Sequence, residues 1–306
     1  MSNIYVVVEH FKGKVEDITF EMLGKAKELG DVTAVLIGNK DLASELGAAS
    51  KVITVDAPEL AEFNPEAYLK TVSEVVSNGN ADMVMVGNTS MGMDIAAGLS
   101  VSQDMPLIAY ASDMGTDSVT SQLYGGKVNV ESAVSGKCIV SVLPGSFPGD
   151  AGKVDGSPAV EEAAAPDLSE VKVKFRKLIE PEGGDVDITT QDVLVSAGRG
   201  IQSDENIPMV EELAAKLGGA VSCSRPIVDN KWLGKTRQVG KSGLKVKPKL
   251  YLTLGISGAP EHIEGMKEAD LIIAVNTDPN APIFDYAHYG CTADLFDLIP
   301  ALSSKL

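Results

Sequence analysis

The stretch from Leu250 to Asn276 (LYLTLGISGAPEHIEGMKEADLIIAVN) most constrains what this chain can fold into. It reads as a strand, a tight turn, a helix and a second strand. The apolar run Leu250 to Leu254 is short and unbroken, the pattern of a strand covered on both faces. Gly255 and Gly258 permit a sharp turn and a close approach of backbone. Pro260 suits a first helical turn, where its missing N–H would have been unpaired anyway. Two strands joined through a helix make a βαβ unit, with the turn at the carboxyl edge of a parallel sheet. Such a turn aims backbone N–H groups and the positive end of a helix dipole at an anion, most often a phosphate. His262 and Asn276 add polar groups nearby.

The same rhythm runs through the chain. Ile4 to Glu9, Val32 to Ile37, Val52 to Val55, Asp82 to Gly87 and Leu107 to Tyr110 read as strands. Ile18 to Leu29, Asp41 to Ala49, Pro65 to Ser77 and Met93 to Ser102 read as helices, the first ending at Gly30 as its C′ residue. This alternation means a parallel sheet. Three strand-like runs follow with no helix between them: Ser118 to Tyr124, Lys127 to Val134 and Lys137 to Leu143. Gly125-Gly126 and Ser135-Gly136 are two-residue hairpin signals, so an antiparallel meander is expected there. Gly149 to Ser169 reads as a solvated linker and Val171 to Ile179 as an edge strand with one wet face. A second series begins at Asp192, with strands Val193 to Ser196 and Ala220 to Cys223 preceding the opening stretch. Its helices are Asn206 to Leu217 and Ala293 to Leu302.

The expected fold is therefore α/β with two domains. Residues 1–185 form an N-terminal parallel-sheet α/β domain with an antiparallel extension. Residues 186–306 form a C-terminal doubly wound parallel sheet, the boundary falling between about 180 and 191. The formal charge of -17 argues against nucleic acid and against stable insertion at an anionic membrane. Cys138, Cys223 and Cys291 are far apart, which points to a reducing compartment. The first strand begins at Ile4 with no leader visible ahead of it, and no apolar run approaches the roughly 20 residues of a membrane span. A cytoplasmic protein is expected. Three histidines leave little material for a metal site, and no metal is expected.

Four strand ends of the second series carry ligand-capable groups. Ala197-Gly-Arg-Gly200 is a glycine turn that is not GxGxxG, so the dinucleotide fingerprint is absent. Its Arg199 suits a phosphate or an adenine. Ser224-Arg225 follows the next strand, where a surface ion pair is the plain reading of the arginine. Gln238-Val-Gly-Lys-Ser-Gly243 resembles the end of a P-loop, but it lacks the first glycine and the following helix. His262 sits in a first helical turn, where a neutral ring is the default and a partly exposed position the plain reading. His10 and His288 stand in no motif. Arginines, hydroxyls, amides, an imidazole and a carboxamide together suit a pyrophosphate attached to a polar ring.

These residues, in this order, resemble the alpha subunit of electron transfer flavoproteins, the family that includes FixB-type proteins. The resemblance is carried by Val195-Ser-Ala-Gly-Arg-Gly200, Ser224-Arg225 with Val228-Asp229, and Gln238 to Gly243. It continues through Leu250-Tyr251, Gly255-Ile-Ser-Gly-Ala259, His262, Gly265-Met266, Ala274-Val-Asn276, Asp278-Pro279, Ala281-Pro-Ile-Phe284, Tyr289-Gly290 and Ala293-Asp-Leu295. Ser90-x-Gly92-x-Asp94 and Tyr124-Gly-Gly126 match less specifically in the N-terminal half.

The resemblance implies FAD bound by the C-terminal domain. It also implies a beta subunit that completes a heterodimer and carries AMP or a second FAD. Arg199 would contact the phosphate or adenosine side. Ser224 and Arg225 would sit by the flavin, Arg225 over its redox-active part. Gln238, Val239, Gly240, Lys241 and Ser242 would line the isoalloxazine, Ser242 offering its hydroxyl to N5. Ser257, Gly258, Ala259, Pro260, Glu261 and His262 would hold the pyrophosphate and ribityl chain and bring the imidazole to the C2 carbonyl. Asn276 would bind phosphate or ribose, and Asp294 and Leu295 the adenine end.

The chain departs from the family pattern at four places. Lys241 replaces the usual Gln, Ser242 the usual Thr, Pro260-Glu261 the usual Ile-Gln, and Met93 stands where an arginine is common. The implied role is an electron carrier between a dehydrogenase, such as an acyl-CoA dehydrogenase, and a further acceptor. It needs no catalytic nucleophile or base. The alternatives are the alpha subunit of an electron-bifurcating, NADH-oxidising complex and, from another class, a non-redox nucleotide-binding sensor. A substrate-converting dehydrogenase is disfavoured, because no base for C–H activation stands out.

Overall fold

The computed structural model describes residues 2–124, 126–178 and 185–306. The chain divides into two compact units, Met1–Lys177 and Leu178–Leu306. In the first, a two-residue antiparallel pair (His10–Phe11 with Lys14–Val15) stands apart, and the strands of the main sheet are β1 (Ser2–Val7), β2 (Gly30–Ile37), β3 (Lys51–Val55), β4 (Met83–Gly87), β5 (Leu107–Met114), β6 (Ser118–Leu123), β7 (Val128–Ala133), β8 (Cys138–Val142) and β9 (Ala159–Glu162). They form one sheet in the order β9-β3-β2-β1-β4-β8-β5-β6-β7. Only β5–β6 and β6–β7 pair antiparallel. Alternation along β1 sends Ile4 and Val6 to one face and Tyr5 and Val7 to the other. The first face packs on α1 (Asp17–Leu29) through Phe20, Met22 and Leu23. The second packs on α2 (Pro65–Asn78) and α3 (Ser90–Gln103) through Tyr68, Val72, Ile95 and Leu99. Caps mark the helix starts: the Asn64 side chain accepts from the Glu66 and Ala67 amides, and Thr89 Oγ1 accepts from that of Gly92.

Several expectations change here. Lys137 to Leu143 is not the third strand of a meander. Instead β8 inserts between β4 and β5, parallel to both. All five of its residues are buried, which an outer meander strand with one wet face cannot achieve. The β6–β7 turn keeps its hairpin role, although Gly125 itself lies outside the described residues. Gly149 to Ser169 is not a featureless linker, because β9 returns to the sheet edge and pairs with β3. Its four side chains are exposed, so no hydrophobic period announced it.

Val171 to Lys177 forms no ladder, and Ile179 lies outside the described residues. Side chains hold this segment instead. The Glu66 carboxylate accepts from the Lys172 and Val173 amides at 2.8 and 3.3 Å, and Asn64 Nδ2 donates to the Val173 carbonyl at 2.7 Å. Gly30 is extended, not left-handed, and opens β2. It is glycine because a Cβ there would stand 2.2 Å from the Ser2 carbonyl oxygen. Asp41 to Ala49 holds only a 3-10 turn, Lys40–Glu45.

In the second unit, β10 (Val193–Ala197), β11 (Ala220–Cys223), β12 (Leu250–Leu254), β13 (Leu271–Val275) and β14 (Tyr289–Cys291) form a wholly parallel sheet in the order β11-β10-β12-β13-β14. The chain moves one way from β10 and then reverses through β12, which makes the sheet doubly wound. α4 (Ile207–Lys216) and α7 (Leu295–Ser303) cover one face through Val210, Leu213 and Ile299. Val239, Val246, Ile263 and Met266 cover the other. Two further helices are single short turns: α5 (Arg225–Asp229) and α6 (Pro260–Ile263). The stretch 180–184, where the boundary was expected to begin, lies outside the described residues. No helix among the described residues is long and apolar enough to cross a membrane.

Candidate functional site

The register brings four strand ends to one level. Cys223, Ala197, Leu254 and Val275 are mutual partners across β11, β10, β12 and β13. The residues that follow them, Ser224, Gly198, Gly255 and Asn276, therefore form a single crest. Arg199, Ser224-Arg225, the Ser257 to His262 turn and Asn276 meet there, although they are spread over nearly 80 residues of sequence.

The two turns flanking the reversal are packed against each other. The Gly198 amide donates to the Leu254 carbonyl at 2.8 Å and the Gly200 amide to Gly255 at 3.1 Å. A Cβ on Gly198 would lie 2.3 Å from the Gly255 oxygen, and Gly255 itself has φ +68°. Gly258 (φ +89°) is fixed in turn, because a Cβ would meet the Ile283 nitrogen at 2.3 Å. The glycines thus serve one another, and the turn is shaped before any ligand arrives. The amides of Ser257, Gly258 and Ala259 find no acceptor among the described residues, so they are available to an anion. A long helix dipole is not part of the arrangement: α6 has four residues, and Gly265 just beyond it packs against Gly240, where a Cβ would stand 2.4 Å from nitrogen.

The Gln238 to Leu244 loop is clamped beside this turn. The Val239 amide donates to Cys223, the Lys241 amide to Glu261 at 2.7 Å and the Leu244 amide to Gln238 at 2.8 Å. Gly240 adopts φ +135°, with its Cβ position 2.7 Å from the Glu261 oxygen. Gln238 and Val239 are buried, and the Val239 side chain belongs to the core. Of the five loop residues expected beside a ring, Val239 therefore offers only backbone. Lys241 and Ser242 are exposed. Gln238 Nε2 donates to Ser242 Oγ at 2.9 Å, which leaves the hydroxyl proton for another acceptor.

His262 is the largest departure from a plain reading of the sequence. It is buried, 6% exposed, not a partly exposed capping residue. Its Nε2 lies 3.0 Å from the Tyr251 hydroxyl. Burial pulls its pKa down to about 4, opposed in part by the Val239 carbonyl. The ring is neutral at physiological pH, and Nδ1 is buried without a hydrogen-bond partner.

The remaining residues divide. Arg199 is exposed at the end of β10. Arg225 is exposed and pairs with Asp229 at 3.4 Å, while Ser224 is buried below it. Asn276 uses both ends of its carboxamide within the chain: Nδ2 donates to Ile256 at 2.8 Å and Oδ1 accepts from Asp278 at 2.9 Å. Asp294 caps α7 through the Phe296 amide, and Leu295, the first residue of that helix, turns into the core. Pro260 and Glu261 are exposed on α6.

Sequence reasoning missed Arg237, next to Gln238. Its Nε donates to Asp185 at 2.8 Å and its Nη1 to the Val221 carbonyl at 3.1 Å. The hydrogen bonds from Arg237 and Thr236 hold the Asp185 carboxyl down at about 2. No local signal links residues 52 positions apart.

Residues 4–174 match the model of the electron transfer flavoprotein domain, and residues 187–267 that of the electron transfer flavoprotein FAD-binding domain. The chain is 34% identical to the electron transfer flavoprotein subunit alpha of Syntrophomonas wolfei, an alignment covering 100% of this chain and 99% of the relative. It is equally similar, at 34%, to that of Methylophilus methylotrophus, with the same coverage. It is 30% identical to protein FixB of Azorhizobium caulinodans over 98% of this chain and 87% of the relative.

Proposed function

The chain belongs to the electron transfer flavoprotein alpha-subunit family, and on that premise we propose how its second sheet holds the cofactor and what its side chains do there. FAD is the cofactor of this FAD-dependent electron carrier, and a beta subunit is its partner. The observation that carries the placement is the buried, neutral His262 with an unpartnered Nδ1 beneath a row of unpaired amides. A buried polar atom without a partner is costly, and a ligand with a polar ring edge and a pyrophosphate answers both features.

The Ser257 to Ala259 amides and Arg199 would hold the phosphates, and His262 and Ser242 would hydrogen-bond the ring. When bound, FAD supplies one- and two-electron redox chemistry at its isoalloxazine. Arg225 would stabilise negative charge that develops on reduction, most strongly once a partner subunit excludes water. Its pairing with Asp229 keeps it at the crest without burying it. Gln238 orients the Ser242 proton outward, and Asn276 braces the turn through Ile256. Lys241, Pro260 and Glu261 adjust charge and shape beside the ring. Asp294 stands at the adenine end with Leu295 as its apolar support. Residues 1–185 would carry the partner contact and 186–306 the FAD. The electron donor would be a dehydrogenase of the acyl-CoA type.

Co-expression with the beta subunit and nucleotide analysis of the purified heterodimer test this reading. A yellow complex with one FAD, plus AMP or a second FAD, supports it. A colourless complex that cannot be reconstituted with FAD overturns it.

A further inference from the structure

One face of the second sheet carries a polar cluster where an apolar core would be the simpler solution. Ser222, Ser196 and Thr253 occupy the same register position on β11, β10 and β12. They share the face of Leu194, Ala220 and Tyr251, two residues earlier on the same strands. All three hydroxyl residues are fully buried. Among the described residues, the buried side-chain polar atoms without a hydrogen-bond partner are Ser222 Oγ, Thr253 Oγ1 and His262 Nδ1. The first two stand in this row, and the third belongs to the imidazole that Tyr251 reaches from it.

Tyr251 ties the row to the site. The phenol is completely buried, and its hydroxyl donates to Ser196 Oγ at 2.8 Å. The same hydroxyl lies 3.0 Å from His262 Nε2. Burial raises the phenol's pKa and lowers that of the imidazole, so neither group charges near neutral pH. The contact is a hydrogen bond between neutral partners. A neutral imidazole carries one ring proton, and a group fixed at one nitrogen decides where that proton sits and which way the ring faces.

We propose that Tyr251, backed by Ser196, is a positioning residue that pins His262 in one orientation and one neutral tautomer beside the FAD. The role resembles that of the groups that orient a metal-bound histidine from behind. It rests on the placement of FAD beside His262. A purely structural Tyr251 would fill volume only, and phenylalanine would replace it.

The test uses the heterodimer with 15N-histidine in this chain and an unlabelled beta subunit. The chain has three histidines, so His262 is identified by the signal lost in His262→Gln. Wild type is expected to show a single neutral tautomer for His262 from pH 6 to 8. Tyr251→Phe, which keeps the ring volume, is expected to give a mixture of tautomers, to bind FAD about tenfold more weakly and to shift the flavin midpoint potential. Ser196→Ala is expected to do the same to a smaller extent, with the fold checked by circular dichroism. An unchanged single tautomer and unchanged FAD affinity in Tyr251→Phe would overturn the proposal. The tautomer is read on the protein alone, so a wild-type complex that takes up no FAD overturns the cofactor placement and leaves the positioning role to be judged separately.

Discussion

Both sheets reverse direction between two parallel strands, and each fills the resulting crest differently. In the first unit the reversal lies between β1 and β4, and Glu9, just beyond β1, is 4% exposed there. Thr89, the cap of α3, donates to both of its oxygens at 2.9 and 2.7 Å. Gly87 and Gly92 crowd the same carboxyl, with Cβ positions 2.4 and 2.9 Å from Oε1. In the second unit the reversal lies between β10 and β12. Glycine turns and unpaired amides form its crest, with a neutral imidazole beneath. The first crest is closed by the chain's own carboxyl, held by Thr89 at the start of α3. The second presents amides from Ser257 to Ala259 that no acceptor closes among the described residues. Parallel-sheet topology creates a polar crest in both, and a single side chain decides whether the chain or a ligand fills it.

Substitutions at the glycines break this contrast most strongly. Gly198→Ala places a methyl 2.3 Å from the Gly255 oxygen, and Gly92→Ala places one 2.0 Å from the Gly87 oxygen. Each is expected to destabilise its own unit by about 3 kcal/mol or more. Only Gly198→Ala is expected to abolish FAD binding, measured by flavin absorbance after gel filtration. Equal loss of FAD in both variants would remove the functional distinction between the crests.

Glu9 and His262, both buried, give the units opposite pH responses. Burial raises the Glu9 pKa from 4.5 to about 7, with Glu16 adding to it and Thr89 opposing. Between those values the folded chain holds a proton that the unfolded chain has released. Stability therefore falls as pH rises through that window, by up to about 3 kcal/mol. Glu9→Gln is expected to flatten this loss in denaturant titrations at pH 5 and 8. His262 runs the other way, from 6.5 down to about 4. Below pH 6.5 the unfolded chain takes up a proton that the folded one refuses, so stability falls with acid by a similar amount. His262→Gln is expected to remove that acid-side slope, and a persistent slope would place its origin elsewhere.

The smallest structural effect is expected at Arg225. Its ion pair with Asp229 is exposed on both sides, so Arg225→Ala changes thermal stability by about 0.5 kcal/mol or less. The flavin midpoint potential is nevertheless expected to drop, because a cation is removed from a ring that gains negative charge on reduction. A redox titration of the heterodimer checks it, and an unchanged potential would place Arg225 away from the ring.

The strands of both units were legible where burial on two faces leaves an unbroken apolar run, as in Leu250 to Leu254 and Met83 to Gly87. Helices were legible where a cap and a period coincide, as at Asn64-Pro65. Exposure hid β9, whose Ala-Val-Glu-Glu presents every side chain to water and is held by its ladder to β3 and by exposed ion pairs of Glu161 with Lys51 and Glu162 with Lys40. The site was legible as a set of residue types. Their division of labour was not: Val239 and Leu295 turn into the core, Asn276 ties the neighbouring turn at Ile256 to its own, and Asp294 caps its own helix.

The sequence by itself determined the alternation of elements, the parallel sheet, the glycine turns and the family pattern that implies FAD. These depend on interactions within a few residues, or on motifs read in order. Only the tertiary structure decided that β8 enters the middle of its sheet, that Glu9 closes one crest, and that His262 is buried against Tyr251 beneath the other. Burial and hydrogen-bond partners are set by residues far apart in sequence. Tyr251 meets Ser196 across 55 positions and Thr89 meets Glu9 across 80. Such contacts exist only once the strands have taken their neighbours, and desolvation then fixes the charge of each buried group.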